Sequence, residues 1–169
     1  MSVIIRAATT TDQRTITALV RGARLNPIRL AWPNFLVAER IQMNSKMGRP
    51  RIVGIGQLRP HSDGTLELAS LVVVPEEQGH GIGSQLVETL IRRANGKLYL
   101  MCERTNVTYY QRFGFRELLT RQEMPRSLRR IHRIVALVEG LISVWAKKQL
   151  HIAIMAHPGL SPTRSGLPE

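Results

Sequence analysis

The chain has 169 residues, 43% apolar and 21% charged, a composition that suits one globular domain and is too apolar for a disordered chain. Aromatic residues make up only 5%, which disfavours a nucleic-acid surface built on stacking. Lys and Arg number 24 against 12 Asp and Glu, and the net charge of +12 attracts polyanions: nucleic acid, anionic lipid or a phosphorylated cofactor. The lone Cys102 excludes an intramolecular disulfide framework and a cysteine-based zinc cage, and it fits a reducing compartment. The opening stretch, MSVIIRAATT, lacks the long apolar core of a secretory signal. No uncharged run approaches the roughly 20 apolar residues of a spanning helix, so the expected location is cytoplasmic.

Taken in chain order, residues 3–8 are a β-branched run that reads as a strand. Thr10 or Thr11 then caps a helix, with Asp12 near its positive end and Ile16, Leu19 and Val20 inward. Residues 25–33 hold two prolines and an apparently buried Trp32, and predict a loop or a broken short helix. Residues 35–41 and 51–58 read as the second and third strands, with turn chemistry in NSKMGRP between them. The tetrapeptide His61-Ser62-Asp63-Gly64 turns the chain into the longest strand signal, residues 65–74. Pro75 stops that strand and a glycine-rich loop follows.

Residues 83–94 are helical, with Leu86, Val87, Leu90, Ile91 and Ala94 at helical spacing and Asn95-Gly96 as the stop. A strand over 97–102, a short helix over 105–113 and a strand over 115–119 come next. Residues 126–148 predict a long helix with Ile131, Val135, Val138, Ile142 and Trp145 on one stripe. A last strand covers 151–156, and the tail 158–169, rich in Pro, Gly and Ser, is expected to be disordered. The reading is one domain over 1–157, α+β or mixed α/β, with a helical insertion at about 126–148.

The loop Gln78-Gly79-His80-Gly81-Ile82-Gly83-Ser84 lies between a strong strand and a strong helix. Glycines let backbone approach a ligand, and a helix start offers unpaired N–H groups, so the two together make a diphosphate cradle. Spacing excludes two common versions. A dinucleotide fingerprint starting at Gly79 needs glycine at its sixth position, where Ser84 stands, and the loop comes too late in the chain. A nucleoside-triphosphatase loop needs Gly-Lys-Ser/Thr, which is missing.

What fits is Q-x-x-G-x-G, read as Gln78, Gly81 and Gly83, after a long strand that begins with an acidic residue. With LELASLVVVPEEQGHGIGSQLVETL around it and YYQRFGF at 109–115, the sequence resembles the GNAT family of N-acetyltransferases. The resemblance implies a mixed, mostly antiparallel sheet splayed between its fourth and fifth strands, with flanking helices and an extra helix before the last strand. It implies acetyl-CoA as co-substrate and a primary amine as acceptor, joined by direct attack in a ternary complex.

By the same resemblance, the main chain of Leu71, Val72 and Val73 pairs with the pantetheine arm. The segment Gln78, Gly79, His80, Gly81, Ile82, Gly83 and Ser84 holds the pyrophosphate. Tyr110, four residues before Gly114, matches the general acid, whereas Tyr109 points about 100° away around the helix. Glu67, eleven residues before Gln78, matches the glutamate base of protein-acetylating members; its other reading is an ion pair with an arginine such as Arg6 or Arg59. Glu103 is the second candidate for the base. Asn106 is a further cofactor contact or an ordinary helix cap.

His61, His132, His151 and His157 show no metal-ligand spacing, so no metal is expected. Cys102 reads as a small buried hydrophobe. Arg126, Arg129, Arg130 and Arg133 crowd the start of the last helix, where its dipole disfavours cations; an acidic substrate, an anionic partner or a membrane surface would each explain them. A solvated charged face is the plain alternative. The rival to an enzyme is a catalytically silent acyl-CoA-binding module whose basic face engages nucleic acid or an acidic partner. The quaternary state reads as monomer or homodimer.

Overall fold

The computed structural model describes residues 2–41, 50–94, 96–131, 133 and 152–159. In chain order come β1 (Ser2–Ala7), α1 (Gln13–Gly22), β2 (Phe35–Ile41), β3 (Arg51–Pro60), β4 (Leu66–Val73), α2 (Ile82–Ala94), β5 (Leu98–Glu103), α3 (Val107–Gln111), β6 (Arg116–Glu117) and β7 (Ile152–His157). Single 3₁₀ turns lie at Thr10–Asp12, Trp32–Asn34, Pro75–Glu77 and Arg104–Asn106. The described strands form one sheet in the order β1-β2-β3-β4-β5-β7-β6, antiparallel except at β4–β5. The expected helix over 105–113 divides into a 3₁₀ turn and α3, and the expected strand over 115–119 shortens to β6. Trp32 is half-buried rather than buried. The turn at 44–49, the stop at Asn95, the helix beyond residue 133, His151 and the tail from 160 lie outside the described residues.

Both faces of the sheet are covered, so its strands are apolar on both sides. On one face α2 buries Ile82, Leu86, Val87, Leu90 and Ile91 against Leu36, Ala38, Leu68, Leu98 and Leu100. Close approach there depends on Gly54 and Gly56 of β3. A Cβ at Gly56 would come within 2.7 Å of the Leu90 side chain and 3.4 Å of that of Leu71. The opposite face is covered in two pieces. Ile16 and Val20 of α1 pack with Phe35, Val37 and Ile55, while Leu128 from the helical start at 126–131 packs with Tyr99, Leu118 and Ile154. Between those covers the face carries polar residues of β3 and β4.

Local chemistry fixes the ends of these elements. Asp12 accepts from the Thr9 amide at 2.7 Å and from Arg6 at 2.7 and 3.2 Å, and Arg6 also holds Glu39 of β2 at 2.9 and 3.1 Å. One guanidinium thus ties the entrance of α1 to the first two strands. At the other end of the chain, Gly114 has φ of 85°, and a Cβ there would lie 3.2 Å from Nε2 of His157. This turn seats α3 against β7. The helical start at 126–131 takes its acid from elsewhere: Asp63, in the β3–β4 turn, accepts from the Ser127 amide at 2.9 Å. Hydrogen bonds from Thr65 and then Ser127 hold the Asp63 carboxyl well below the usual range.

Arg6 lowers the Asp12 carboxyl from 3.8 to about 2, its hydrogen bonds outweighing the cost of burial. A carboxyl depressed in the folded state adds stability that is complete above 3.8 and is lost as the pH falls toward about 2. Asp12→Asn is expected to flatten that stretch of the acid-unfolding profile and to lower stability at neutral pH, read by urea denaturation across pH. Gly114→Ala is expected to cost about 1–3 kcal/mol, because an alanine resists the left-handed region. Gly22→Ala, in the last turn of α1 with open space around it, is the contrasting control in the same urea titration and is expected to gain up to about 1 kcal/mol.

Candidate active site

The parallel pair β4–β5 is the feature from which the site grows. It pairs at only two positions, Glu67 with Tyr99 and Leu68 with Leu100, although both strands run on beyond them. The divergence begins at Ser70, a non-glycine residue with φ of 52°. Two residues, Ser70 and Leu71, stand opposite the single Gly56, between the pairs Gln57–Ala69 and Ile55–Val72. Such a bulge bends a strand and increases its twist. Past Leu68, β4 keeps its ladder to β3 but has no strand partner on its other edge among the described residues. The side chains of Leu71 and Val73 pack on the α2 core and that of Val72 on the α1 core. Apart from the Val73 carbonyl, which accepts from the Gln78 side chain, their main-chain groups on the open edge are what remains for a ligand.

That edge leads straight into the glycine loop. The side-chain Nε2 of Gln78 donates to the Val73 carbonyl at 2.9 Å and ties the loop to the end of β4. Gly79 and Gly81 have φ of 80° and 78°, with nothing within 4 Å of where a Cβ would lie. Ile82 is buried and anchors the first turn of α2, while Gly79, His80 and Gly81 are exposed and Gly83 and Ser84 half-buried. The first bond of that turn runs from the Gln85 amide to the Gly81 carbonyl at 3.0 Å. The amides of Ile82, Gly83 and Ser84 therefore precede the helical ladder, with the positive end of α2 behind them.

Of the acids nearby that would oppose an anion, Glu77 is engaged by Arg40, which holds its carboxyl below the usual range, while Glu76 stays exposed 3.9 Å from an equally exposed Arg51. An open loop with free amides fits a diphosphate, and the free strand edge fits an extended amide-bearing arm.

The tyrosines of α3 part ways as their spacing requires. The Tyr109 hydroxyl lies over the first turn of α2, 3.0 Å from a Cβ built on Gly83, and Arg112 stacks on its ring. Tyr109 was not among the expected site residues; a glycine at the second position of a helix, with an aromatic pair further along the chain, is the signal that could have found it. Tyr110 is half-buried, edge-on to Phe115 at 6.0 Å. Burial first, then proximity to Cys102 and Tyr109, pushes its phenol well above the usual value, so it stays protonated. Cys102, half-buried on β5 with its sulfur 3.9 Å from that of Met155, has its thiol pushed up to about 11 by burial and then by Glu117 and Glu103. It is a thiol at neutral pH, poor as a nucleophile.

Glu67 is buried on the other face of the parting. His61 lies 2.7 Å away, within hydrogen-bond reach, and Arg59 stands opposite on β3 at 3.6 Å. Of the two arginines expected as partners it is Arg59 that meets Glu67, since Arg6 is held by Asp12 and Glu39. Glu103 and Asn106 are exposed, and Asn106, though in the capping position of α3, makes no capping hydrogen bond. No cluster of His, Cys, Asp and Glu suited to a metal ion occurs among the described residues, and no helix there is long and apolar enough to cross a membrane.

Comparison with known proteins agrees with this geometry. No curated protein matches the sequence. Among solved structures, N-acetylglutamate synthase from Neisseria gonorrhoeae, complexed with coenzyme A and N-acetyl-glutamate, superposes with a TM-score of 0.73 at 20% identity over 95% of this chain. The match covers 36% of that protein, so this chain spans little more than a third of it. Rv2747 from Mycobacterium tuberculosis, in complex with CoA, gives 0.65 at 20% identity, covering 93% of this chain and 99% of its own. The ribosomal-protein-S18-alanine N-acetyltransferase from Escherichia coli gives 0.60 at 18% identity, covering 98% and 100%. At such identities the likeness is one of fold. The sequence also matches the acetyltransferase (GNAT) domain model over residues 32–117, a stretch that runs from the 3₁₀ turn before β2 to the end of β6, and the chain belongs to the GNAT acetyltransferase family.

Proposed function

We propose that the protein is an N-acetyltransferase that moves an acetyl group from acetyl-CoA to a primary amine in a ternary complex. The observation that carries this reading is the parting of β4 from β5 after only two paired residues, with the freed edge running into the glycine loop. The open edge at Leu71, Val72 and Val73 would hold the pantetheine arm, and the loop from Gln78 to Ser84 the diphosphate. Asn106, exposed at the entrance of α3, is a further candidate contact for the cofactor. Bound acetyl-CoA would supply the activated acetyl thioester. Solved neighbours named as an N-acetylglutamate synthase and a ribosomal-protein-S18-alanine N-acetyltransferase support transfer to nitrogen on this fold.

The residues have separable tasks. In the transfer a C–N bond forms and the C–S bond breaks; the amine loses a proton and the sulfur gains one. Tyr110, kept neutral by burial, is the donor to the sulfur. The hydrogen-bonded pair Glu67–His61 receives the proton from the amine. Cys102 stays out of the chemistry because its thiol titrates at about 11, which favours direct attack over an acetylated enzyme.

Tyr110→Phe is expected to lower turnover about 100-fold while the Kd for acetyl-CoA, by calorimetry, stays as in the native protein. Unchanged turnover would remove Tyr110 from the role. Gly81→Val meets no steric neighbour but forces a β-branched residue to φ of 78°. As the free loop relaxes out of that conformation, acetyl-CoA binding is expected to weaken at least 10-fold, about 1.4 kcal/mol, read by calorimetry.

A further inference from the structure

One group near the parting is left without chemistry by the mechanism above. Arg59 projects from β3 onto the face between α1 and the 126–131 segment, and only 11% of its side chain is exposed. Its Nη2 donates to the Gln57 amide oxygen at 3.1 Å and, at 3.4 Å, to the hydroxyl of Ser70, the residue at which β4 leaves β5. Its Nε is buried with no hydrogen-bond partner among the described residues, and its Nη1 stands 3.6 Å from Glu67, beyond hydrogen-bond length. A guanidinium has five N–H donors, and buried donors are ordinarily satisfied.

The surroundings show a built site. Gln57 is fully buried and joins two strained residues: its amide nitrogen donates to the carbonyl of Arg29 at 2.7 Å, and its oxygen accepts from Ser70 at 3.4 Å. Arg29 and Ser70 have φ of 61° and 52°, and neither is glycine. Strain of this kind persists where surrounding contacts impose it, and it concentrates at binding sites. The Arg29 guanidinium is pinned by a 2.6 Å bond to the Pro60 carbonyl and lies close enough for its charge to oppose that of Arg59. The Arg59 guanidinium, with the charge of the exposed Arg29 nearby, therefore meets the single carboxylate of Glu67, which His61 shares.

We infer that Arg59, supported by Arg29, binds a carboxylate of the acceptor, so the acceptor is a small amine that carries a carboxylate a few bonds from its nitrogen, the chemistry of a free amino acid. This rests on the acetyltransferase reading and narrows its substrate. A planar, singly charged carboxylate matches the edge of a guanidinium in two parallel bonds. A dianionic phosphate would place more negative charge beside Glu67 than the two arginines offset. With its carboxylate on Arg59, such an acceptor has its nitrogen within reach of Glu67 on the neighbouring strand, on the side where β4 and β5 separate.

The test compares L-amino acids with the corresponding amino acid amides as acceptors, by thiol release. Their N-acetyl derivatives are compared as ligands in the presence of CoA by saturation-transfer NMR. The native protein is expected to prefer the acids at least 100-fold in kcat/KM. Arg59→Gln is expected to abolish that preference by lowering the acid's kcat/KM about 100-fold more than the amide's. Arg59→Lys, which keeps the charge and loses the fork, is expected to fall between the two. Equal use of acids and amides by the native protein, a measurement that needs no variant, would overturn the inference and leave acetyl transfer standing. So would equal losses on both acceptors in Arg59→Gln, or acetyl-CoA binding with no carboxylate-bearing amine accepted or bound. Absence of acetyl-CoA binding in the native protein is a different failure: it sinks the acetyltransferase reading and this inference with it.

Discussion

A strand in the middle of a sheet ordinarily spends the hydrogen bonds of both its edges on neighbours, and β4 does so on one edge only. The constraint that produces this is the conformation of Ser70. With φ of 52° in a residue that has a Cβ, the backbone is held against its own preference, by the ladder to β3 and by side-chain bonds to Gln57 and Arg59. The two-against-one register across Gly56 turns the last part of β4 out of line with β5. Gly56 is needed for the same bulge, because the side chains of Leu71 and Leu90 fill the space its own would take. The open edge, the approach to the glycine loop and the position of Glu67 at the fork all follow from that turn.

How much of this could be read from residues alone varies with the kind of signal. The glycine loop was legible because its chemistry is local: Gly79 and Gly81 adopt conformations that side-chain-bearing residues resist, and a strand precedes them as a helix follows. Even the Arg59–Glu67 pair was within reach. Once the turn is placed at His61 to Gly64, antiparallel pairing sets residue 59 opposite 67, as observed. The place of His61 in that pair was not legible, since it depends on a turn residue folding back over its own strand. The bulge was illegible for a plainer reason. Serine carries no preference for the left-handed region strong enough to mark it, and the contacts that impose it come from β3, eleven and thirteen residues away. The approach of the Tyr109 hydroxyl to Gly83 is a tertiary relation, at which the glycine next to a helix start gave only a hint.

The large positive charge divides into several local settlements. Arg6 is spent on Asp12 and Glu39, Arg40 on Glu77 before the glycine loop, and Arg104 and Arg116 on Glu117 and Glu123. At the start of the 126–131 segment the arginines oppose the helix dipole, but Asp63 supplies the missing negative charge from the β3–β4 turn. The hydrogen bonds from Thr65 and Ser127 favour its ionised form. The same short turn therefore carries His61 toward Glu67 at one end and caps a helix at the other. It links the floor of the cleft to the segment that covers β5 and β7.

That linkage bears on how the acceptor side differs from the cofactor side. The loop proposed to hold the cofactor is made of backbone: amides, glycine conformations and a helix end. Backbone recognises what all acyl-CoA molecules share, so it leaves little room for choice. The opposite face is made of side chains with longer sequence reach, Arg29 and Gln57 from one region, Glu67 and Ser70 from another, Asp63 and Ser127 from a third. Discrimination among amines depends on burying or stranding polar groups, because an unpaired buried donor costs far more than a paired one gains. A half-satisfied guanidinium whose Nε meets no acceptor is such a group. On the proposed reading its cost in the free protein becomes selectivity when an acceptor completes it, which would place specificity in Arg59 and leave the glycine loop to what all members of the family share.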